Sequence, residues 1–551
     1  MDTQRILLFV GLSLVLFLLW QAWQREINPP ADKPAVTVTE TKPRSAASAS
    51  DVPIGTETAP TETPSQVPGS DEVVQRAESL EVVTDTLRAV IDTYGGDVRE
   101  VDLLKYPLDP KKPNDPFPLM IDTLPHLFIA QSGFASKRPQ EGILVAAPNH
   151  HTKYKGRVEK DDQGVTHAIL EWTSPQGVKF TTKYDFKPGS YLIQVQHQVD
   201  NPTTQPWYGN LYQQLERSRE ERSKGIGSTY TYTGGVIWSP EDKYQKIKFD
   251  DMQDENLQRD ITGGWAAMIQ HYFLGAWVPE RDATFTYYSR ALPRDLYVLG
   301  MKADEEMRVA PQSSKSIHSQ LYVGPKLQHV LEKVAPGLEL TVDYGILTII
   351  AKPLFWLLEK IHGFIGNWGW SIVLLTLLIK LVFYKLSETS YKSMAHMRKV
   401  QPRMKAMKER YGDDRQKLNQ AMMDLYKKEK INPLGGCLPI LVQIPVFIAL
   451  YWMLLESVEL RQAPWILWIT DLSAKDPYFV LPILMGITML VQQRLNPTPP
   501  DPIQAKVMMA LPFVFTVFFL FFPAGLVLYW ITNNSLSIAQ QWYITRIVIK
   551  S

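Results

Sequence analysis

The sequence contains a single cysteine, Cys437, among 551 residues, so no disulfide can form within the chain. This scarcity leaves the redox compartment open, because a large domain can be stable in an oxidising space without disulfides. An excess of charge of one sign is missing too. The 58 lysines and arginines nearly balance the 57 aspartates and glutamates, and a net charge of +1 says nothing about partners. Nothing in the sequence indicates nucleic-acid recognition.

Signatures of enzymes and cofactor sites are also missing. There is no HExxH or GxSxG motif, and SKGIGST at Ser223–Thr229 has the wrong order for a nucleotide-binding loop. A serine–lysine dyad of Ser371 and Lys380 fails because nine helical residues separate the two by about 13.5 Å. The sequence therefore predicts that the protein is not an enzyme, with no catalytic residue, no metal and no cofactor.

The N-terminal 72 residues are predicted to hold a membrane anchor and a linker. The apolar run Ile6–Trp20 predicts an uncleaved anchor span over 1–27, because large residues fill the positions where a signal peptide would be cut. A cleaved signal sequence stays open as the alternative. Residues 28–72 are rich in Pro, Ser and Thr and predict a flexible tether, since they cannot bury enough apolar surface to fold.

Residues 73–342 show the two-residue alternation that is typical of strands. Val178–Phe186 and Tyr191–Val199 alternate apolar and polar residues on either side of KPGS, which indicates a β-hairpin. Ala89–Leu104 shows a similar pair around two adjacent glycines. We therefore predict a large, mostly antiparallel β-sandwich with a few helices near its C-terminal end.

From Tyr344 onward, long apolar segments follow one another closely. The stretch 343–366 is too polar to span a membrane and predicts an amphipathic helix in the interface. Spans are predicted near 368–386, 438–456, 478–493, 508–522 and 525–545. With the N-terminal anchor they make six, although several are at or below the usual length of about 20 residues.

The segment between the second and third spans predicts the topology. Its cations outnumber its acids over Lys385–Lys430, so we expect it in the cytoplasm. Because each span crosses the membrane once, counting spans from this segment puts both termini in the cytoplasm and the β domain in the periplasm.

The same segment predicts a cytoplasmic helical hairpin over 387–431, with Gly412–Asp414 as its turn. Five methionines form a stripe along its two arms: Met394, Met397, Met404, Met407 and Met422. Pro402 is expected to kink or interrupt the first arm. The stripe has two interpretations: an adaptable surface for varied hydrophobic clients, or packing between the arms.

Lys380 lies inside the predicted span 368–386. An isolated lysine in hydrocarbon costs about 2.5–3.5 kcal/mol on insertion scales. The residues alone leave two interpretations open. The side chain can reach water near Lys385, about 7.5 Å further along the helix axis, or it can serve a solvated site within the membrane.

Long motifs in the apolar region carry a family resemblance. They lie at Gly366–Thr376, Met397–Asp414, Asn432–Leu454, Glu459–Gly486 and Phe522–Asn534. Together they resemble the YidC/Oxa/Alb insertase family over nearly all of Tyr344–Ser551. The preceding anchor, tether and β domain are similar to the Gram-negative form.

The resemblance implies a fold and a function. The fold is a multi-domain, polytopic α-helical membrane protein of the bacterial inner membrane, with six spans, a five-helix insertase core and a large periplasmic antiparallel β-sandwich. The function is that of an insertase and folding chaperone, which inserts membrane proteins through a hydrophilic groove, alone or with the Sec translocon. The implied partners are nascent membrane proteins, Sec components, targeting factors or the ribosome at the cytoplasmic face, and anionic lipids.

Groove positions carry over from the family one by one. Lys380 takes the place of a groove cation that is arginine in many relatives, which keeps the charge and loses the planar fork. Thr376 and Gln443 match polar groove positions. Trp530 replaces a substrate-contacting aromatic residue, and Tyr529 is its neighbour. Two other functions stay open: a secondary transporter of an anionic solute, for which no inverted repeats are found, and a structural scaffold of the Sec complex.

Overall fold

The computed structural model of the chain describes residues 78–135, 143–219, 231–412, 414–429, 438–496 and 502–548. The predicted anchor and tether lie outside these ranges, as does Cys437. Within them, a β domain occupies the first part and a helical bundle the second.

The β domain is built from two antiparallel sheets. Its strands are β1 (Ser79–Val83), β2 (Leu87–Asp92), β3 (Val98–Pro107), β4 (Pro116–Met120), β5 (Phe128–Ala135), β6 (Lys155–Lys160), β7 (Thr166–Thr173), β8 (Lys179–Phe186), β9 (Leu192–Asn201), β10 (Trp207–Ser218), β11 (Gly234–Ser239), β12 (Lys243–Ile247), β13 (Gln258–Thr262), β14 (Trp265–Ile269), β15 (Phe273–Pro279), β16 (Thr284–Leu292), β17 (Leu296–Ala303), β18 (Met307–Val309) and β19 (Ser313–Pro325). The first sheet has the order β1-β2-β3-β5-β10-β17-β16-β13, with β4 beside β3 and β18 beside β10. The second has the order β12-β11-β14-β15-β19-β9-β8-β7-β6.

The predicted β-sandwich is confirmed, and both predicted hairpins form. In β8 and β9, alternate residues are buried, and Lys179 pairs with Asp200 at the open end. Strands β2 and β3 pair around Gly95 and Gly96, whose φ angles of 91° and 70° are left-handed values that glycine adopts without a Cβ clash. The apolar residues of both sheets meet in one core between them.

Helices make up most of the remainder. They are α1 (Phe249–Asp254), α2 (Gln328–Val334), α3 (Thr348–Ile365), α4 (Trp368–Val382), α5 (Tyr384–Tyr411), α6 (Arg415–Lys428), α7 (Leu438–Glu456), α8 (Val480–Leu495), α9 (Pro502–Phe519) and α10 (Ala524–Tyr543). One helix, α2, follows the last strand as predicted, whereas α1 lies between β12 and β13. Helix α3 occupies the predicted amphipathic segment and buries one stripe of residues: Ala351, Phe355, Leu358 and Ile361.

Among the described residues, no helix on its own combines the length and apolar character needed to cross a membrane. Helices α4 and α5 meet that requirement only together, and they are bent by 68° relative to each other. The predicted span 368–386 ends early, because the helix stops at Val382 and Phe383 is its C-cap. The prediction of six spans is therefore not confirmed. Helices α4 and α8 have 15 and 16 residues, short of the usual length of about 20.

The predicted hairpin forms. The expectation that Pro402 could interrupt its first arm is wrong. Helix α5 continues through Pro402 to Tyr411. Val400 and Met404, on either side of the proline, pack against Leu425 of α6, and this packing holds the helix together across the missing hydrogen bond. Asp414 begins α6 by accepting a hydrogen bond from the Lys417 backbone N–H at 3.1 Å.

Candidate functional site

Helix α10 contacts both α4 and α7 through polar residues, and we call this part of the bundle the trough, with α10 as its floor and α4 and α7 as its walls. Helices α4 and α7 both contact α10, but they make few backbone contacts with each other. Polar residues of α10 therefore lie between two helices that stand apart. Asn533 and Ser537 are one helical turn apart on α10, where they meet Lys380 of α4 and Gln443 of α7. We refer to these four residues as the trough cluster.

Lys380 is held by a hydroxyl on the neighbouring helix. Its Nζ donates a hydrogen bond to Ser537 Oγ at 2.8 Å, and the side chain is largely buried, with 9% of the residue exposed. Ser537 Oγ donates its own hydrogen to the Asn533 carbonyl at 2.7 Å, so it can accept from the ammonium, and it also bonds to the Tyr391 hydroxyl. Among the described residues, no carboxylate forms an ion pair with Lys380.

The other wall of the trough is joined to the same turn of α10. Gln443 Nε2 donates to Asn533 Oδ1 at 2.7 Å, and both residues are half-buried. The Gln443 amide also bonds to the Tyr529 hydroxyl, and part of the Asn533 amide keeps hydrogen-bonding capacity. The trough cluster thus combines one cation with amide and hydroxyl groups beside the apolar core of the bundle.

The remaining predicted groove residues lie deeper. Thr376 is 1% exposed, and its hydroxyl donates to the Ile372 carbonyl one turn back at 2.7 Å. Tyr529 is 2% exposed. Trp530 packs edge-on against Phe447, with ring centroids 4.7 Å apart. The structure therefore brings Lys380 and Gln443 into contact with the trough floor, joins Tyr529 to Gln443, and places Thr376 in a packed position.

Sequence reasoning did not identify Asn533 and Ser537. The signal was the i, i+4 spacing of two small polar residues in an otherwise apolar helix, which puts them on one face. Asn534 is likewise buried and donates to Thr488 Oγ1 of α8 at 3.3 Å, so α10 presents polar groups to helices on two sides.

The segment after α7 packs against the start of α4. Trp465 lies against Gly369, where an added Cβ would meet the indole at 2.2 Å, so only glycine fits. Asp476 is buried and accepts hydrogen bonds from the Trp468 indole at 3.0 Å and the Leu481 backbone N–H at 2.7 Å. Burial raises the pKa of Glu459, in the same segment, to about 7.

The methionine stripe lies between the arms of the hairpin. Met404 is buried with Val400 and Leu425, and three of the other predicted methionines pack against them: Met397, Met407 and Met422. Met394 is half-buried and stands outside this apolar cluster. The packing between the arms favours the structural interpretation for four of the five residues.

Both parts of the chain match known families. Residues 360–551 match the family described as 60Kd inner membrane protein, and residues 79–357 match the family described as YidC periplasmic domain.

Full-length relatives match as well. The chain is 50% identical over 565 residues to the membrane protein insertase YidC of Methylococcus capsulatus, covering 100% of this chain and 99% of the relative. It is 50% identical over 564 residues to the protein of the same name from Thioalkalivibrio sulfidiphilus, with 100% and 99% covered. A solved structure, an active YidC insertase with its first transmembrane domain resolved, matches at 16% identity and a TM-score of 0.38, covering 85% of this chain and 93% of that one.

Proposed function

The chain belongs to the YidC family of membrane protein insertases, and on that premise we propose that it inserts hydrophobic segments of client proteins into the inner membrane through the trough cluster. The observation that carries this proposal is Lys380, buried to 9% exposure and bonded to Ser537 on the trough floor. Burying a cation costs free energy, and ionisable residues inside membrane segments therefore usually mark functional sites.

The proposed route uses the free energy of the client itself. A hydrophobic client helix gains free energy in lipid, but its polar flank must first cross the apolar layer. A trough that carries amides, hydroxyls and a cation partway into the bundle shortens that layer for the flank. The client helix then leaves sideways into lipid, so the route needs no nucleotide.

Lys380 would act by charge attraction. Its ammonium attracts acidic residues in the client flank, and attraction between opposite charges is stronger in a partly buried site than in bulk water. A lysine offers a point charge without the two-pronged geometry of arginine. Client selection by Lys380 should therefore depend mainly on the sign of the charge in the client flank, and less on how a client carboxylate is oriented.

Amide groups of the trough would receive the backbone of the client flank. Gln443 and Asn533 are half-buried and bonded to each other, and part of the Asn533 amide keeps hydrogen-bonding capacity. An extended flank could exchange hydrogen bonds with these amides in place of water. This role extends the predicted groove beyond the family positions to Asn533.

Membrane partners and orientation are part of the same proposal. We place the β domain in the periplasm, the α5–α6 hairpin and both termini in the cytoplasm, and Sec components, targeting factors or the ribosome, and anionic lipids among the partners. The hairpin carries clustered cations that suit anionic lipid headgroups: Lys399, Arg403, Lys405, Lys408 and Arg410.

Reconstitution tests the function directly. The purified full-length chain would be placed in liposomes without Sec and offered a small single-span client and, separately, a radiolabelled anionic solute. Protease protection of the client is expected, without solute uptake above empty liposomes. Uptake without client protection would favour the transporter instead. The absence of both activities would favour a structural scaffold of the Sec complex.

A further inference from the structure

The end of α7 is buried in the β domain. Leu455, Glu456 and Ser457 are each at most 4% exposed. Val458, directly after the helix, belongs to the same apolar core as the two sheets. The described part of the β domain and the bundle therefore share packing at the C-terminal end of α7, which we call its outer end. The same helix carries Gln443 at the trough.

A buried ion pair joins the two parts at this point. Lys326, which follows β19, places Nζ 3.3 Å from Glu456 Oε2, and the two side chains are 3% and 6% exposed. The same ammonium donates to the Thr341 carbonyl at 3.3 Å. Glu456 is the last residue of α7, so the cation also lies near the negative end of the helix dipole.

Further hydrogen bonds surround the pair. His271 Nε2, in the turn before β15, donates to the Leu455 carbonyl at 3.1 Å. Arg461 donates to the Pro107 carbonyl at 2.8 Å, and its guanidinium lies 5.6 Å from the centre of the Phe117 ring. Carbonyls of α7 and of β3 are thus satisfied across the interface, as buried polar groups require.

We propose that the β domain sets the position of α7 in the bundle by clamping its outer end, with Lys326 and Glu456 as positioning residues. Helix α7 has few direct contacts with α4, the other wall of the trough, whereas α3 contacts both helices. The clamp therefore acts together with α3 in setting the separation of the two walls. The β domain is then a structural brace for the trough. This inference concerns the resting geometry and does not depend on the role proposed for Lys380.

Distance measurements between spin labels test the clamp without any client. Labels at Leu377 of α4 and Ile448 of α7, which are 37% and 38% exposed, would be introduced as cysteines into the full-length Cys437→Ser chain. Lys326→Met leaves the Glu456 carboxylate buried and unpaired, which is strongly destabilising for a buried pair. We expect a broader distance distribution with a shifted mean. Amide exchange in the last turn of α7 should be faster on the order of tenfold, with β10 unchanged.

Matched variants separate positioning from general damage. The double variant Lys326→Met/Glu456→Met replaces the pair by apolar groups and should restore the original distribution and slow exchange. Lys352→Met removes an exposed lysine paired with Glu332 at 2.7 Å nearby and should change neither. If Lys326→Met does not fold, Glu456→Gln should shift the distribution in the same direction. An unchanged distribution in Lys326→Met, or one that stays shifted in the double variant, would overturn the proposal.

Discussion

Lys380 Nζ and Ser537 Oγ are 2.8 Å apart, so the cation of α4 is bonded to the helix that forms the trough floor. Ser537 is oriented by its own bond to the Asn533 carbonyl. The ammonium is therefore directed across the bundle towards α10, where Asn533 also meets Gln443 of α7. A lysine that merely reached along α4 towards the hairpin would not need this partner.

Reversing the charge of Lys380 should change which clients are inserted. Lys380→Arg should keep insertion of a client with an acidic flank. Lys380→Glu should lower it on the order of tenfold, the ratio given by about 1.4 kcal/mol of lost attraction. Protease protection in reconstituted liposomes measures both. A matched client whose acidic residues are replaced by Asn and Gln serves as the control. Full activity of Lys380→Glu on the acidic client would contradict this prediction.

Ser537→Ala should impair the same clients while leaving the charge in place. Hydrogen bonds to charged groups contribute about 1.5–3 kcal/mol, so loss of this acceptor should lower insertion of the acidic-flank client by on the order of tenfold. Ser537→Thr keeps the hydroxyl and should retain insertion. The measurement is initial insertion rate at matched protein content. Equal rates for the Ala and Thr variants would mean that the hydroxyl does not position Lys380.

Met404→Ala should loosen the hairpin. Met404 is 6% exposed between Val400 and Leu425, and shortening a buried methionine to alanine costs about 2–5 kcal/mol in well-packed cores. We expect faster amide exchange in both α5 and α6. Met394→Ala removes the same side chain outside this apolar cluster and should leave exchange unchanged. Unchanged exchange in Met404→Ala, with reduced client crosslinking, would instead support a client-binding stripe.

Glu459 should make stability depend on pH. Burial raises its pKa from an ordinary 4.5 to about 7, so between these values the folded state holds a proton that the unfolded state has lost. This contribution to stability is present in full below pH 4.5, falls as the pH rises, and is gone above about pH 7. Glu459→Gln has no titrating carboxyl at this position, so its stability should not fall with pH for this reason.

Thermal unfolding of the full-length chain in detergent measures the difference. The unfolding temperature of Glu459→Gln minus that of the natural chain should increase between pH 5 and pH 7 and then stay constant. Asp471→Asn, in the same segment and half-buried, controls for loss of one negative charge. A difference that does not change with pH would show that Glu459 is ionised throughout.

Local patterns predicted much of the fold because they depend on neighbours in sequence. The alternation in β8 and β9 identified both strands and their hairpin, and the charge-rich segment after α4 identified the α5–α6 pair. Pro402 was misjudged because packing of Val400 and Met404 on Leu425, 21 or more positions away, decides whether the helix continues.

Contacts across the chain could not be predicted in the same way. The bond from Lys380 to Ser537 joins positions 157 apart, and that from Lys326 to Glu456 joins positions 130 apart. Family resemblance supplied Lys380 and Gln443 but gave no sign of which α10 residue each would meet. Likewise, no pattern around Val458 shows that this residue completes the core of the β domain.

Water access to the trough is the most direct measurement. Single cysteines at Gln443 and Asn533, half-buried on the trough, and at Leu377 and Ile448, facing outward, would be placed in the Cys437→Ser chain in intact membranes. A membrane-impermeant maleimide applied from the cytoplasmic side should label the two trough positions quickly and the two outward positions slowly. Trough cysteines that react no faster than the outward pair would contradict a hydrated route through the bundle.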